Sequence, residues 1–417
     1  MIRSMTVCLG EAAIEVGKLA FEARGQRKSA SFVYTESWLK NPDRFALSPD
    51  LPLVSGYQFR AKKNMDVSQS AFFGCFADTE PDGWGRMVIQ RDYAKQRKES
   101  GDSPTLAGHL DDFDFLLWVN DFSRMGALRL RDDQGVYQRA SGGKRETPPL
   151  IALPQLLSAS KAVEENRETA RDLAILRGNG TSLGGLRPKC AILDTDGSLA
   201  IGKFPSVQDT RSIVHGEVLA LNLATAAGID AARARVVDSE GVPVAVISRF
   251  DRADGKRLMY LSARSLLQAE PAEQYTYVDI ADAIRRVSSR ASRDLRELWR
   301  RMVFNILINN VDDHLNNHGF LHHAHDQWTL APAFDLNPFP DKARSLKTWI
   351  SEDAGDDASL AAAIAVAPLF GLTKGAEAQV LAEVKAAISD WKSLARSLGM
   401  TTADIDRFTP AFDGGAC

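Results

Sequence analysis

The sequence predicts an α+β fold, with an α/β N-terminal part and a mainly helical C-terminal lobe. Two observations carry this. Alternating segments meet at the turn signals Asp196-Gly197 and Glu240-Gly241, as the strands of hairpins do. Beyond residue 250 the apolar residues fall at three- and four-residue spacing, the period of amphipathic helices.

In chain order, the first 149 residues read as a small α+β region. Strands are expected at 55–59 and 127–130, and a helix at 85–94 after the turn Pro81-Asp82-Gly83. Residues 131–149 are polar, carry Gly and Pro and lack apolar periodicity, so they read as an exposed linker. A boundary there, and a second near residue 250 where the chain turns mainly helical, give three domains, 1–149, 150–250 and 251–417. In the middle domain one hairpin joins 189–193 to 199–204. A helix follows with Val214, Val218, Leu221 and Ala224 on one face and Gly228 as C-cap. A second hairpin joins 234–238 to 242–248. In the last domain a helix carries Leu295, Leu298, Trp299, Met302 and Ile306 behind an N-cap at Ser292. A single helix is expected from Val380 to Leu398, closed by Gly399. Between these helices lies a strand pair, 319–322 with 327–330.

Composition excludes several classes. The chain has 417 residues, 44% hydrophobic and 25% charged, which is ordinary globular usage and neither disordered, collagenous nor coiled coil. A net charge of −3 provides no overall attraction to nucleic acid or anionic membranes. Cys8, Cys75, Cys190 and Cys417 form no CxxC pair and read as reduced thiols, hence a cytoplasmic protein. Glu11 and Glu15 stand where a signal peptide needs an apolar core, and the apolar stretch 360–372 is too short to span a membrane.

The chemistry concentrates at Asn310-Val-Asp-Asp-His-Leu-Asn-Asn317. Asp312 and Asn317 have the spacing of a kinase catalytic loop, in which the Asp accepts the acceptor hydroxyl proton and the Asn holds magnesium. Asp335, after the next hairpin, supplies a third ligand where a kinase places its second metal-binding Asp. Taken alone, the stretch suits turns and caps equally well. Upstream residues decide, because a kinase also needs a strand lysine, a helix glutamate and a flexible phosphate loop. Lys203 ends the first hairpin, Glu217 lies on the next helix, and Gly178, Gly180, Gly184 and Gly185 precede the hairpin. Leu186 replaces the lysine of a P-loop and no GxGxxG fits, which disfavours Walker and Rossmann enzymes. The ordered set points to a two-lobed protein-kinase-like fold.

These residues resemble the HipA-type serine/threonine kinase toxins of bacterial type II toxin–antitoxin modules over nearly the whole chain. The resemblance rests on Phe76-Ala-Asp-Thr-Glu-Pro-Asp-Gly-Trp-Gly-Arg86, Asp112-Phe-Asp-Phe-Leu-Leu and Gly126-Ala-Leu-Arg-Leu130. It continues through Ser182-Leu-Gly-Gly-Leu-Arg-Pro-Lys189, Gly202-Lys-Phe-Pro205, Ser248-Arg-Phe-Asp-Arg252, the 310–317 loop and Leu330-Ala-Pro-Ala-Phe-Asp335. It implies Asp312 as catalytic aspartate, Asn317 and Asp335 as Mg²⁺ ligands, and Lys203 on the phosphates of ATP. It implies Ser248, Arg249 and Phe250 as the hinge against adenine with Asp251 toward the ribose, and Ser182, Gly184 and Gly185 as the phosphate loop. Ser182 would be an autophosphorylation site that switches the enzyme off.

The resemblance further implies growth inhibition and persistence through phosphorylation of a translation component, characteristically an aminoacyl-tRNA synthetase. A helix-turn-helix, HipB-like antitoxin would neutralise the kinase and provide most of the contact with DNA. Asn337 and Leu336 replace the FG that follows the metal-binding Asp in typical protein kinases. The alternatives are a small-molecule kinase of related fold and a catalytically silent co-repressor.

Two clusters compete for attention. His314, His318, His322, His323 and His325 suggest zinc, but no HExxH helix or nearby cysteine supports it. Arg285, Arg286, Arg290, Arg293, Arg296, Arg300 and Arg301 suggest an anionic partner, but Asp282, Asp294 and Glu297 favour a solvated helix face.

Overall fold

The computed structural model describes residues 2–25, 27–62, 69–81, 83–99, 110–138, 147–177 and 185–413. The chain divides into two compact units, Met1–Gln208 with Ser239–Val242 and Asp251–Leu261, and Asp209–Asp238 with Pro243–Phe250 and Ser262–Cys417.

The first unit is built on five antiparallel strands: β1 (Ile2–Leu9), β2 (Ile14–Arg24), β3 (Arg27–Tyr34), β4 (Gln58–Ala61) and β5 (Leu128–Arg131). Their order is β4-β3-β2-β1-β5. On β2, Leu19 and Phe21 are buried while Lys18 is exposed, the alternation of a one-faced sheet. The strand expected at 55–59 lies instead at Gln58–Ala61, because residues 58–61 pair with 29–32 and Gly56 bends the chain at φ +91°. Gly17 is obligatory, since a Cβ there would come within 2.3 Å of the Phe32 ring.

Helix α1 (Gly83–Glu99) contains the expected 85–94 segment. Helix α2 (Asp112–Trp118) starts at a reciprocal capping box of Asp111 and Asp114. Phe113 of α2 stacks on Phe21 at 5.5 Å, and Arg3 ties Asp111 and Asp114 back to β1. Helices α3 (Leu153–Glu164) and α4 (Ala170–Arg177) follow. The Trp84 indole of α1 donates to the Lys189 carbonyl at 3.0 Å, fixing it to β6 (Lys189–Leu193). Strands β6 and β7 (Leu199–Lys203) form the expected antiparallel hairpin. Its loop closes with Gly197 N–H donating to Asp194 O and Gly197 at φ +79°, which is why glycine follows the turn. Cys8, Cys75 and Cys190 are buried free thiols.

Glu80 gives this unit a pH dependence. Burial pushes its carboxyl up to about 7, against hydrogen bonding from Ser70 and the charge of Arg86. The folded state therefore holds its proton more tightly than the unfolded chain, so stability is greatest below about 4.5 and is lost as pH rises through 7. At 1.36 kcal/mol per pH unit the cost reaches about 3 kcal/mol at most. Glu80→Gln is expected to flatten this limb in thermal melts between pH 5 and 8. An unchanged slope would reject the account.

In the second unit, α5 (Ile213–Ala226) is buried along most of its length and ends as expected, with Gly228 at φ +76° and Ile229 N–H returning to Ala224 O. Gly216 of α5 admits the Phe408 ring, which would lie 2.7 Å from a Cβ, so the last helix α10 (Thr402–Asp413) presses directly on the backbone of α5. Strands β8 (Ala234–Ser239) and β9 (Val242–Ser248) are adjacent, and Glu240 and Gly241 both have positive φ, the requirement of a type I′ turn.

Helix α6 (Tyr277–Val287) opens on a Thr276/Asp279 capping box. Helix α7 (Ala291–Leu307) has Arg290, not Ser292, at its N-cap, because Ser288 and Arg290 both clamp Asp294 at 2.7 and 2.9 Å and draw the start forward. The arginines of this region do not all form a solvated face. Arg300 and Arg301 are buried, bonded to Ala227 O and to Asp230 O and Ala331 O, while Asp282, Asp294 and Glu297 pair with Arg285, Arg290 and Arg301. Strands β10 (Gly319–Ala324) and β11 (Gln327–Leu330) pair antiparallel. The single helix expected at 380–398 is two, α8 (Lys374–Ser389) and α9 (Trp391–Ser397), broken at Asp390. Trp391 then stacks on Phe412 of α10 at 4.2 Å. Among the described residues no helix is long and apolar enough to cross a membrane.

Candidate active site

The buried helix α7 delivers the 310–317 loop. It ends because Asn309 adopts φ +52°, a conformation Asn tolerates, and anchors its amide on Phe339 O and Lys342 O. Asn310 folds back, its N–H on Asn305 O at 2.8 Å and its side chain on Asn305 Oδ1 at 3.1 Å. The next two residues separate. Asp312 stays half-exposed, while Asp313 turns inward and is buried.

Asp313 Oδ2 accepts from Asn305 Nδ2 at 3.0 Å and from Tyr277 Oη, and it pairs with His318 Nε2 at 2.9 Å. Burial works to raise this carboxyl. The neighbouring His318 charge and the hydrogen bonds from His318 and Tyr277 outweigh it and hold it below the ordinary range. Burial and the Asp313 charge push the Tyr277 hydroxyl well above its ordinary value. One inward carboxylate thus staples α6, α7 and the chain entering β10.

A strap from 346 to 349 braces the loop. Lys347 N–H donates to Val311 O, Thr348 N–H to Asp313 O, and Trp349 N–H to Tyr275 O. Lys347 Nζ ion-pairs with Asp312 Oδ1. Asn317, in the short 3₁₀ turn Leu315–Asn317, donates its amide to Asp312 O at 3.4 Å, which leaves its Oδ1 for a cation. Asp335 stands beyond β11 at φ +56°, with Asn337 Nδ2 on its Oδ1 at 3.3 Å and Ala333 N–H on Asp230 O at 2.7 Å. An amide oxygen and a carboxylate are the hard donors that magnesium prefers.

Other expected residues of this unit are Glu217, buried on α5, and Ser248, which closes β9 with its N–H on Arg233 O at 2.9 Å. Arg249 is buried, and the Phe250 ring lies 5.4 Å from Phe334, next to Asp335. In the first unit, Lys203 ends β7 half-buried. Asp251 has a bracing task. It is fully buried and accepts from Gly126 N–H at 2.7 Å and Arg252 Nη1 at 2.6 Å. Gly185 has φ +98° and leaves room for the Lys189 ammonium, 2.7 Å from where a Cβ would stand. Ser182 and Gly184 lie outside the described residues.

Of the histidines, His318 serves Asp313 and His322 bonds the His325 carbonyl. No group of three or more metal-binding side chains occurs among the described residues. Lys347 and the Asp313 network carry no sequence motif. Lys347 reaches Asp312 only through folding, and Asp313 looked like one more turn-former.

Fold and loop define an α+β chain of the two-lobed, protein-kinase-like class. Family models agree, the HipA N-terminal domain matching residues 5–131 and the HipA-like C-terminal domain matching residues 181–392. The chain belongs to the HipA family of kinase toxins. It is 29% identical over 343 residues to a protein of Sinorhizobium fredii named "Putative kinase Y4mE", covering 73% of this chain and 71% of that protein. Its fold matches HipA of Shewanella oneidensis, solved with HipB and operator DNA, with a TM-score of 0.69 and 16% identity over 99% of this chain and 96% of that one. The Helicobacter pylori proinflammatory kinase CtkA aligns at a TM-score of 0.40 and 14% identity, over 56% of this chain and 89% of that one.

Proposed function

We propose that this protein is a cytoplasmic, ATP- and Mg²⁺-dependent protein serine/threonine kinase and the toxin of a toxin–antitoxin pair. The observation that carries the reading is the 310–317 loop, where half-exposed Asp312 and the Asn317 amide are joined in one turn. Asp312 takes the proton of an acceptor hydroxyl. Asn317 and Asp335 hold magnesium, which when bound neutralises charge developing on the phosphates. Lys203 meets the phosphates, and Glu217 belongs to the same nucleotide-binding set. Ser248, Arg249 and Phe250 face the adenine, and Ser182, Gly184 and Gly185 cover the phosphates.

The partner is a helix-turn-helix antitoxin of the HipB type, which supplies most DNA contact. The acceptor is a translation component such as an aminoacyl-tRNA synthetase, and its modification arrests growth. Incubation of a cell extract with the protein and γ-labelled ATP tests the core claim. Label is expected in protein phosphoserine or phosphothreonine, and label confined to metabolites would reject it.

Ser182 extends the reading to regulation. Protein incubated with Mg²⁺-ATP is expected to gain one phosphate there. The added charge, about −1.5 to −2, competes with ATP phosphates for the loop amides, so ATP affinity falls. Mass spectrometry of the tryptic peptide ending at Lys189, in wild type and Asp312→Ala, decides. Equal phosphate in both, or none in wild type, rejects self-inactivation.

A further inference from the structure

We propose that Lys347 is a positioning residue for phosphoryl transfer, binding one carboxylate oxygen of Asp312 so that the other receives the acceptor proton. The inference rests on the kinase reading above. Lys347 Nζ pairs with Asp312 Oδ1, while Oδ2 accepts no hydrogen bond from the described residues. A free carboxylate rotates between two equivalent oxygens, and a cation fixed on one of them removes that choice.

The lysine is itself fixed. Its N–H is on Val311 O, its carbonyl accepts from Gln274 Nε2 at 2.8 Å, and the next residue bonds Asp313 O. The strap therefore holds the backbone of the lysine against the same loop that its ammonium serves. Residues 310–317 contain no lysine or arginine, so the loop has no permanent cation of its own. Stability does not explain the pair. The two side chains are 56% and 38% exposed, and ion pairs this wet contribute little to folding. Lys347 also borders an open recess of about 340 Å³ with Arg264, Tyr275 and His314, so an acceptor chain has room beside the lysine.

In the step so arranged, the acceptor O–H bond breaks and its proton goes to Asp312 Oδ2. The acceptor oxygen forms a bond to the γ-phosphorus, and the bridging P–O bond breaks with its electron pair leaving on ADP. Asp312 then releases the proton to water. Lys347 changes neither charge nor bonding.

The test uses the full chain with γ-labelled Mg²⁺-ATP, following transfer to the chain itself and release to water, in wild type, Lys347→Met and Lys347→Arg. Misorientation of a catalytic group costs on the order of 10²-fold, so Lys347→Met is expected to lower kcat about 10- to 100-fold. The KM for ATP should stay within about twofold, because the proposal gives the lysine no contact with the nucleotide, and the melting temperature should not move, because the side chain is 56% exposed. Lys347→Arg should recover most of kcat. Unchanged kcat in Lys347→Met overturns the proposal, as does an arginine variant no better than methionine. A fall in melting temperature that accounts for the lost activity makes Lys347 structural and overturns it as well. A wild type that transfers to neither acceptor overturns the kinase reading, and this inference with it.

Discussion

Asp312→Asn should abolish measurable transfer while leaving Mg²⁺-ATP affinity within about twofold of wild type. The substitution keeps the size of the side chain and the backbone carbonyl that holds Asn317. It removes the proposed proton acceptor, and a general base contributes about 10²- to 10⁴-fold. Asp335→Ala should behave differently. It removes the oxygen proposed to bind magnesium, so Mg²⁺-ATP binding should weaken together with transfer. Calorimetric titration with Mg²⁺-ATP and labelled transfer, run on both variants, separate a base from a ligand. A fully active Asp312→Asn protein would sink the kinase assignment.

Asp313→Asn should destabilise the second unit by about 3 kcal/mol, since it leaves a buried cluster without the charge that organises it. The lost charge is the acceptor for Tyr277, Asn305 and the pair with His318. The pH dependence follows from the depressed folded value of Asp313. Its contribution is complete above the ordinary carboxylate value of about 3.9 and is lost as pH falls below it. Urea melts of the two proteins should therefore differ most near neutrality and converge in acid. A gap that is small at pH 7, or constant down to pH 2, would show that the carboxylate is not the staple.

Much of this architecture was legible where local chemistry dictates it. Glu240-Gly241 takes the positive φ angles of a tight hairpin, and Gly228 and Gly399 end helices because the left-handed conformation is cheap there. The five-residue step from Asp312 to Asn317 is equally local. What depends on distant partners was not legible. Strand β2 escaped because Glu15, Lys18 and Glu22 interrupt the apolar run, and only pairing with β1 and β3 across the sheet makes sense of the alternation. The break at Asp390 is invisible to a period that continues through it. Arg300 and Arg301 read as surface residues because an isolated guanidinium belongs in water, whereas here carbonyls at the ends of α5 and β11 satisfy them. Lys347 is the same case at the site itself, a residue given its role by a strap that only the folded chain provides.

The contact between Gly216 and Phe408 limits where the chain can be shortened. Glu217 follows the glycine on which that ring rests, and Ile405, Phe408 and Phe412 are all buried. A protein ending near Gly399 would keep every residue assigned to transfer, yet it would uncover the backbone of α5 and the Trp391 ring. Such a truncation should aggregate or lose its hold on Glu217 although no catalytic group is missing. Expression designs, and protease trimming before crystallisation, need to retain the chain through Asp413.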